Sequence, residues 1–260
     1  MLERRALDHG IHVLASIAFE ELGFLAVFTE RGGGVSDGPF ASLNLGLRAG
    51  DAPNRAEENR RRVCSALGVE SFACGRQVHG NHHESVPPDR AGAGFTDPES
   101  AFPSTDALET VHTDVPIAIL TADCLPIALA DEVSHRIAVV HAGWRGLAAG
   151  IVGEVAATFE DPGQVIAAIG PAVGVDHYEV SDDVVGAVSE GTNGAAVVHR
   201  RTQGSAFLNL EATAERTLRS CGVHRIEAAG VCTACEPERF FSYRRDGVTG
   251  RQALIAARLA

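Results

Sequence analysis

The stretch TADCLPIALADEVSHRIAVVHAGWRG, Thr121–Gly146, sets two apolar runs, LPIALA (125–130) and RIAVVH (136–141), on either side of a short polar segment. The economical reading is an antiparallel hairpin that turns at Glu132 and Val133, with Asp131 facing Ser134. Counting outward from that pair places Cys124 opposite His141. Facing residues share one side of a sheet with Cβ atoms about 4.5–5.5 Å apart, near enough for a thiolate and an imidazole to share a metal ion or a proton. After His141 a glycine turn, AGWRG, leads into a helical pattern, so the histidine stands beside the positive end of a helix dipole, where anions are favoured. A lone cysteine facing a lone histidine is also ordinary packing.

Outside the hairpin, FLAVFT (24–29), VPIAIL (115–120), VIAAIG (165–170) and RIEAAGV (225–231) have the length and apolar character of strands. Helical periodicity runs over Arg55–Leu67, Leu147–Phe159 and Leu208–Cys221, with Gly68 and Gly222 as stop signals after the first and last. The chain is therefore expected to be α/β, a single-domain mixed sheet with flanking helices spanning residues 1–260. The segment TGRQALIAARLA at the C-terminus fits either a helix or an edge strand. Residues 80–110 lack periodicity and form a loop too long for a plain connection, expected to border the opening of a site.

With 260 residues, 45% hydrophobic and 22% charged, the chain can bury a full core. A net charge of −12 works against sequence-independent binding to nucleic acid or to an anionic membrane surface, so neither is expected as a partner. The opening segment is broken by Asp8, His9, His12, Glu20 and Glu21, which spoil a signal-peptide core, and no 18-residue apolar run follows. A cytoplasmic location is expected, with the six cysteines mostly thiols.

A third residue strengthens the Cys124–His141 pair. In GRQVHG, His79 lies among polar and glycine residues with no apolar frame to bury it. His79, Cys124 and His141 would give zinc three protein ligands and leave a fourth position open, the pattern of catalytic rather than structural sites. Asp123 is the nearest carboxylate, but adjacent strand residues point to opposite faces, so it reaches the site only if the chain bends before Cys124.

GGVSDGPFASLNLGLRAGD, RQVHG, TADCLPI, HAGWRGLAAGI, IGP, YEV, CT and FFSYRRDGVTGR occur in order between about residues 24 and 255. Together they resemble the signature blocks of the laccase-domain family, first described as multicopper polyphenol oxidases and now regarded as purine nucleoside phosphorylases that also deaminate adenosine. The resemblance implies the α/β fold shared by YfiH-like proteins and the cytotoxic necrotising factor, and one metal ion, usually zinc, on His79, Cys124 and His141. It implies phosphorolysis of adenosine, inosine, guanosine and methylthioadenosine, with adenosine hydrolysed to inosine; purine nucleosides and phosphate are the expected small-molecule partners.

A genuine multicopper laccase needs several copper ions on many histidines, commonly in His-x-His pairs, and none of the 11 histidines forms such a pair. Copper can nevertheless occupy a His₂Cys site, which leaves room for weak polyphenol oxidation by adventitious metal. For phosphate, Arg48, Arg76, Arg145, Arg244 and Arg245 lie in or beside the resembling blocks and are candidate forks, with surface charge or pairing to Asp246 as the plainer reading. Ser36 and Asn44 in the glycine-rich loop are candidates for ribose or phosphate, or else form turn hydrogen bonds. Many relatives carry a cysteine pair where this chain has Asp176 and His177; His177 is an extra ligand or a loop histidine. Cys232 and Cys235 in CTAC suggest a zinc knuckle, but no second Cys-x-x-Cys accompanies them. A competing hypothesis dispenses with metal and makes Cys124 a thiolate nucleophile activated by His141, in a hydrolase or deamidase.

Overall fold

The structure, a computed structural model, describes residues 2–200 and 204–259. Strands Leu125–Asp131 and Arg136–Ala142 form the expected antiparallel hairpin, but Asp131 faces Arg136 and Pro126 faces His141. The turn therefore takes four residues rather than two. Its cause is the Asp131 carboxylate, which accepts hydrogen bonds from the backbone N–H groups of Val133 (3.0 Å) and Ser134 (3.3 Å) and from the Ser134 hydroxyl (2.6 Å), while His135 adopts a left-handed φ of 57°. Cys124 thus falls just outside the strand, alongside Gly143 instead of opposite His141. A correction by an even number of residues keeps the thiol and imidazole on one face.

Both hairpin strands are buried along nearly their whole length, so both faces of their sheet must be covered. Where the sequence suggested one mixed sheet, the described strands supply two six-stranded mixed sheets and a three-stranded antiparallel one. The hairpin sheet is ordered Arg225–Ala228, Ile166–Ile169, Leu125–Asp131, Arg136–Ala142, Ala107–Thr110, His83–Ser85, with its outermost pair at each end parallel. The other runs Leu2–Ala6, His12–Ser16, Phe24–Thr29, Gln252–Arg258, Ile117–Thr121, Ala73–Cys74. Phe28, Ile119 and Leu254 of this second sheet share a core with Ala128, Val139 and Ala168 of the first, so the two sheets are stacked face to face.

Helices cover the outer faces. Leu147, Val152, Val155, Ala214 and Leu218 pack on Ile127, Leu129 and Val140. Val63 and Cys64 of helix Pro53–Leu67 pack on Val27, Ala118 and Ile255. That helix ends as its sequence predicts, with Gly68 at φ 71° receiving the left-handed cap. The pattern expected as one helix over 147–159 is instead two pieces, Trp144–Ala148 and Ile151–Ala156, separated by Gly150 at φ 82°. The C-terminal segment is a strand, and an interior one, hydrogen-bonded on both sides. No described helix is long and apolar enough to cross a membrane.

Candidate functional site

The two sheets and the loops at one end enclose a cleft of about 680 Å³, and Cys124, His141 and His79 all line it. His141 comes from the end of its strand and is buried. Cys124 is held by the sharp bend at Asp123, whose φ is 96°, and His79 projects from a loop residue that also has positive φ, 64°. The three ligand atoms lie within 4.8 Å of one another, and the two imidazole rings meet edge to face with centroids 4.8 Å apart. Gly143 permits the close approach: a Cβ there would come within 2.9 Å of Cys124 Sγ and 3.4 Å of the His79 ring.

The residue that organises this group is Asp106, which sequence reasoning missed. Its buried carboxylate accepts the N–H groups of Val78 (3.1 Å), His79 (2.9 Å) and Gly80 (2.8 Å), and pairs with His141 Nδ1 at 2.8 Å. Burial alone would raise its pKa, but the His141 contact and the amides hold it below the usual carboxylate range. The ionised carboxylate keeps the proton on His141 Nδ1, which frees Nε2 to serve as a ligand. At Cys124 burial pushes the thiol up and at His141 it pushes the imidazole down. Their mutual attraction, reinforced by His79 at the thiol and Asp106 at the imidazole, overrides both, so the thiol is lowered and the imidazole raised. Two imidazoles and one readily ionised sulfur suit zinc, and they converge closely enough to bind one ion.

The bend required to bring Asp123 to the cleft is present, but both carboxylate oxygens are engaged, accepting from Thr233 Oγ1 (2.6 Å) and the Arg244 backbone N–H (2.5 Å). Arg48, Arg76, Arg145 and Arg244 line the cleft. Arg48 pairs with Glu99, while Arg145 and Arg244 lie over the rings of Trp144 and Tyr178. Arg245 is turned away; it pairs with Asp246 and donates to the carbonyls of Thr233 and Phe240. Ser36 and Asn44 are buried outside the cleft, hydrogen-bonded to Asp51 and Asn59, so they close the glycine-rich loop. The helix that follows His141 is only the five-residue piece Trp144–Ala148, so the dipole expected beside the histidine is that of little more than one turn.

From the 80–110 segment, Gly94 and Pro98 line the cleft, and the segment, expected to be irregular, holds two short strands, His83–Ser85 and Ala107–Thr110. The cleft also gains Gln77, whose amide is tied to both backbone groups of Leu120, together with Tyr178 and Arg251. Gln77 and Arg251 sit inside RQVHG and FFSYRRDGVTGR, so reading every polar member of those blocks would have found them. Asp106 lies at the end of the irregular segment, where no motif marks it.

Residues 25–258 match the family model described as multi-copper polyphenol oxidoreductase laccase. A purine nucleoside phosphorylase of Xylella fastidiosa is 42% identical over 243 residues, covering 90% of this chain and 92% of its own. The purine nucleoside phosphorylase YlmD of Geobacillus stearothermophilus is 36% identical, with 91% and 90% covered. The crystal structure of YlmD from that organism superposes with a TM-score of 0.90 at 33% identity, covering 100% of this chain and 98% of that one. A Bacillus licheniformis YfiH structure gives 0.89 at 29% identity, with 95% and 96% covered.

Proposed function

Because the chain belongs to the laccase-domain family of YfiH-like proteins, we propose that it is a zinc-dependent purine nucleoside phosphorylase with adenosine deaminase activity. Its substrates on this reading are adenosine, inosine, guanosine and methylthioadenosine, and residues 1–260 act as one domain with segment 80–110 forming a wall of the cleft. The reading rests above all on the convergence of His79, Cys124 and His141 within 4.8 Å in a cleft lined by arginines.

In phosphorolysis a phosphate oxygen bonds to C1′ of the ribose as the bond from C1′ to the purine nitrogen breaks, and the departing base gains a proton. On this reading Arg48, Arg76, Arg145 and Arg244, which line the cleft, bind the incoming phosphate, and their charge opposes the penalty of bringing a dianion beside Cys124. Zinc, when bound, supplies a Lewis acid that polarises a substrate oxygen and activates water for attack at C6 of adenine. Asp106 fixes His141 and the 78–80 turn, and Asp123 holds the bend that presents Cys124. Copper in the same His₂Cys set accounts for any weak polyphenol oxidation.

A metal-free hydrolase is the competing reading, supported by the Cys124, His141 and Asp106 alignment, which has the order of a nucleophile, a base and its orienting carboxylate. The test is base release from adenosine and inosine by wild type, His79→Ala and Cys124→Ala, with and without phosphate, recording metal content. Phosphate-dependent release that disappears with the metal in both variants is expected. Wild-type activity in metal-free His79→Ala, with Cys124→Ala inactive, would establish the hydrolase instead.

A further inference from the structure

Among the described residues one other cluster brings three metal-ligand side chains together. His177, Cys232 and Cys235 have their ligand atoms within 4.8 Å of one another, with His177 Nε2 3.2 Å from Cys235 Sγ. None of the three lines the cleft. We infer that His177, Cys232 and Cys235 form a second transition-metal site, suited to zinc.

Zinc held by sulfur at about 2.3 Å and by imidazole nitrogen at about 2.0–2.1 Å in tetrahedral geometry spaces its ligand atoms by roughly 3.5–3.8 Å. Small side-chain adjustments bring this trio to that spacing. Cys232 and Cys235 flank a tight turn closed by the Cys235 N–H on the Cys232 carbonyl (3.2 Å), the short cysteine spacing of a zinc knuckle. The lone Cys-x-x-Cys in the sequence lacked its complement because that complement is a single histidine brought in from position 177.

The backbone at Gly174 is shaped to the Cys232 sulfur. The Gly174 N–H donates to Cys232 Sγ at 3.1 Å, and a Cβ on Gly174 would stand 3.0 Å from that sulfur. Only glycine lets the backbone come this close. The two segments are also joined by backbone hydrogen bonds, Ala172 N–H to Val231 O (3.3 Å) and Thr233 N–H to Ala172 O (2.9 Å). Cys235 and His177 are exposed, so the fourth position opens to solvent.

This site braces the first one. The same two segments hold Asp123 through Thr233 Oγ1 on its carboxylate and Val173 N–H on its carbonyl (3.0 Å), and Asp123 makes the bend that presents Cys124. Zinc at the second site crosslinks the support under Cys124 without touching a substrate.

The experiment is a zinc titration of the reduced, metal-stripped full-length chain against a chromophoric chelator. Wild type is expected to bind two zinc ions, and Cys235→Ser, His177→Ala and Cys124→Ser one each. Cobalt in place of zinc distinguishes the sites: the ion kept by Cys124→Ser shows sulfur-to-cobalt absorption from two thiolates, and the ion kept by Cys235→Ser from one. His177→Ala changes an exposed side chain, so its metal-free melting temperature is expected to match wild type, and loss of one zinc then reports a lost ligand. Zinc content that stays at the wild-type value in Cys235→Ser and His177→Ala, or when Cys232 and Cys235 are both serine, overturns the proposal. Because the readout is metal content, failure of nucleoside cleavage leaves this result unaffected.

Discussion

Asp106 carries more of the site's geometry than any single ligand does, since one carboxylate holds the His141 ring and the three amides of the loop bearing His79. Asp106→Asn keeps the shape but lets the amide donate to His141 Nδ1, which moves the ring proton to Nε2 and blocks the ligand lone pair. Zinc affinity at the cleft is expected to fall about 10–100-fold, measured by chelator competition. Unchanged affinity would show that His141 is oriented by its packing alone. Gly143→Ala tests the close approach from the other side: its Cβ would crowd Cys124 Sγ and the His79 ring. Weaker zinc binding with little change in melting temperature is expected. His79, Cys124 and His141 were legible as a converging trio because their residue types are rare and their blocks specific. Asp106 was not, because one aspartate in an irregular, polar segment carries no pattern, and only the folded chain shows what it touches. Ser36 and Asn44 illustrate the converse, being polar residues in a conspicuous motif that serve the loop's own hydrogen bonds.

At the scale of elements, the hairpin shows how a side chain can move a register. Apolar periodicity located both strands but left the turn open, and Asp131 settles it by accepting three hydrogen bonds across the 132–135 turn. Asp131→Ala is expected to cost about 1–2 kcal/mol in chemical denaturation, with the cleft's zinc affinity preserved because the turn is at the far end of the strands from Cys124 and His141. A loss of zinc affinity equal to that of Asp106→Asn would mean that the register, not the local bend at Asp123, positions the thiol. The helix expected over 147–159 broke because a glycine inside an apolar pattern reads as tolerable in sequence, while Gly150 takes a left-handed φ. The C-terminal segment was ambiguous for a related reason. A strand buried on both faces lacks alternation, so QALIAAR carries no period that separates strand from helix.

For the whole molecule, the division into two stacked sheets was invisible locally, because it depends on which strands pair across long separations. Strand Gln252–Arg258 inserts between Phe24–Thr29 and Ile117–Thr121, so the C-terminal part completes a sheet begun at the N-terminal end. Glu30, which follows the strand Phe24–Thr29, makes a second tie between distant parts of the chain. Its buried carboxylate makes a two-pronged pair with Arg4 (2.9 Å each) and a contact with Arg239 at 2.6 Å, tying the first strand to the segment after Cys235. Burial works to raise its pKa, but hydrogen bonds and attraction from Arg4 and Arg239 win and lower it. A carboxylate lowered in the folded state adds stability above its unfolded pKa of about 4.3, and that contribution is lost as the pH falls through the folded value. Glu30→Gln, of nearly the same shape, is therefore expected to be less stable than wild type by about 1.5–3 kcal/mol at pH 7, with the gap shrinking steadily in urea unfolding below about pH 4. A gap that stays constant across that range would mean that Glu30 acts through packing and neutral hydrogen bonds rather than through its charge.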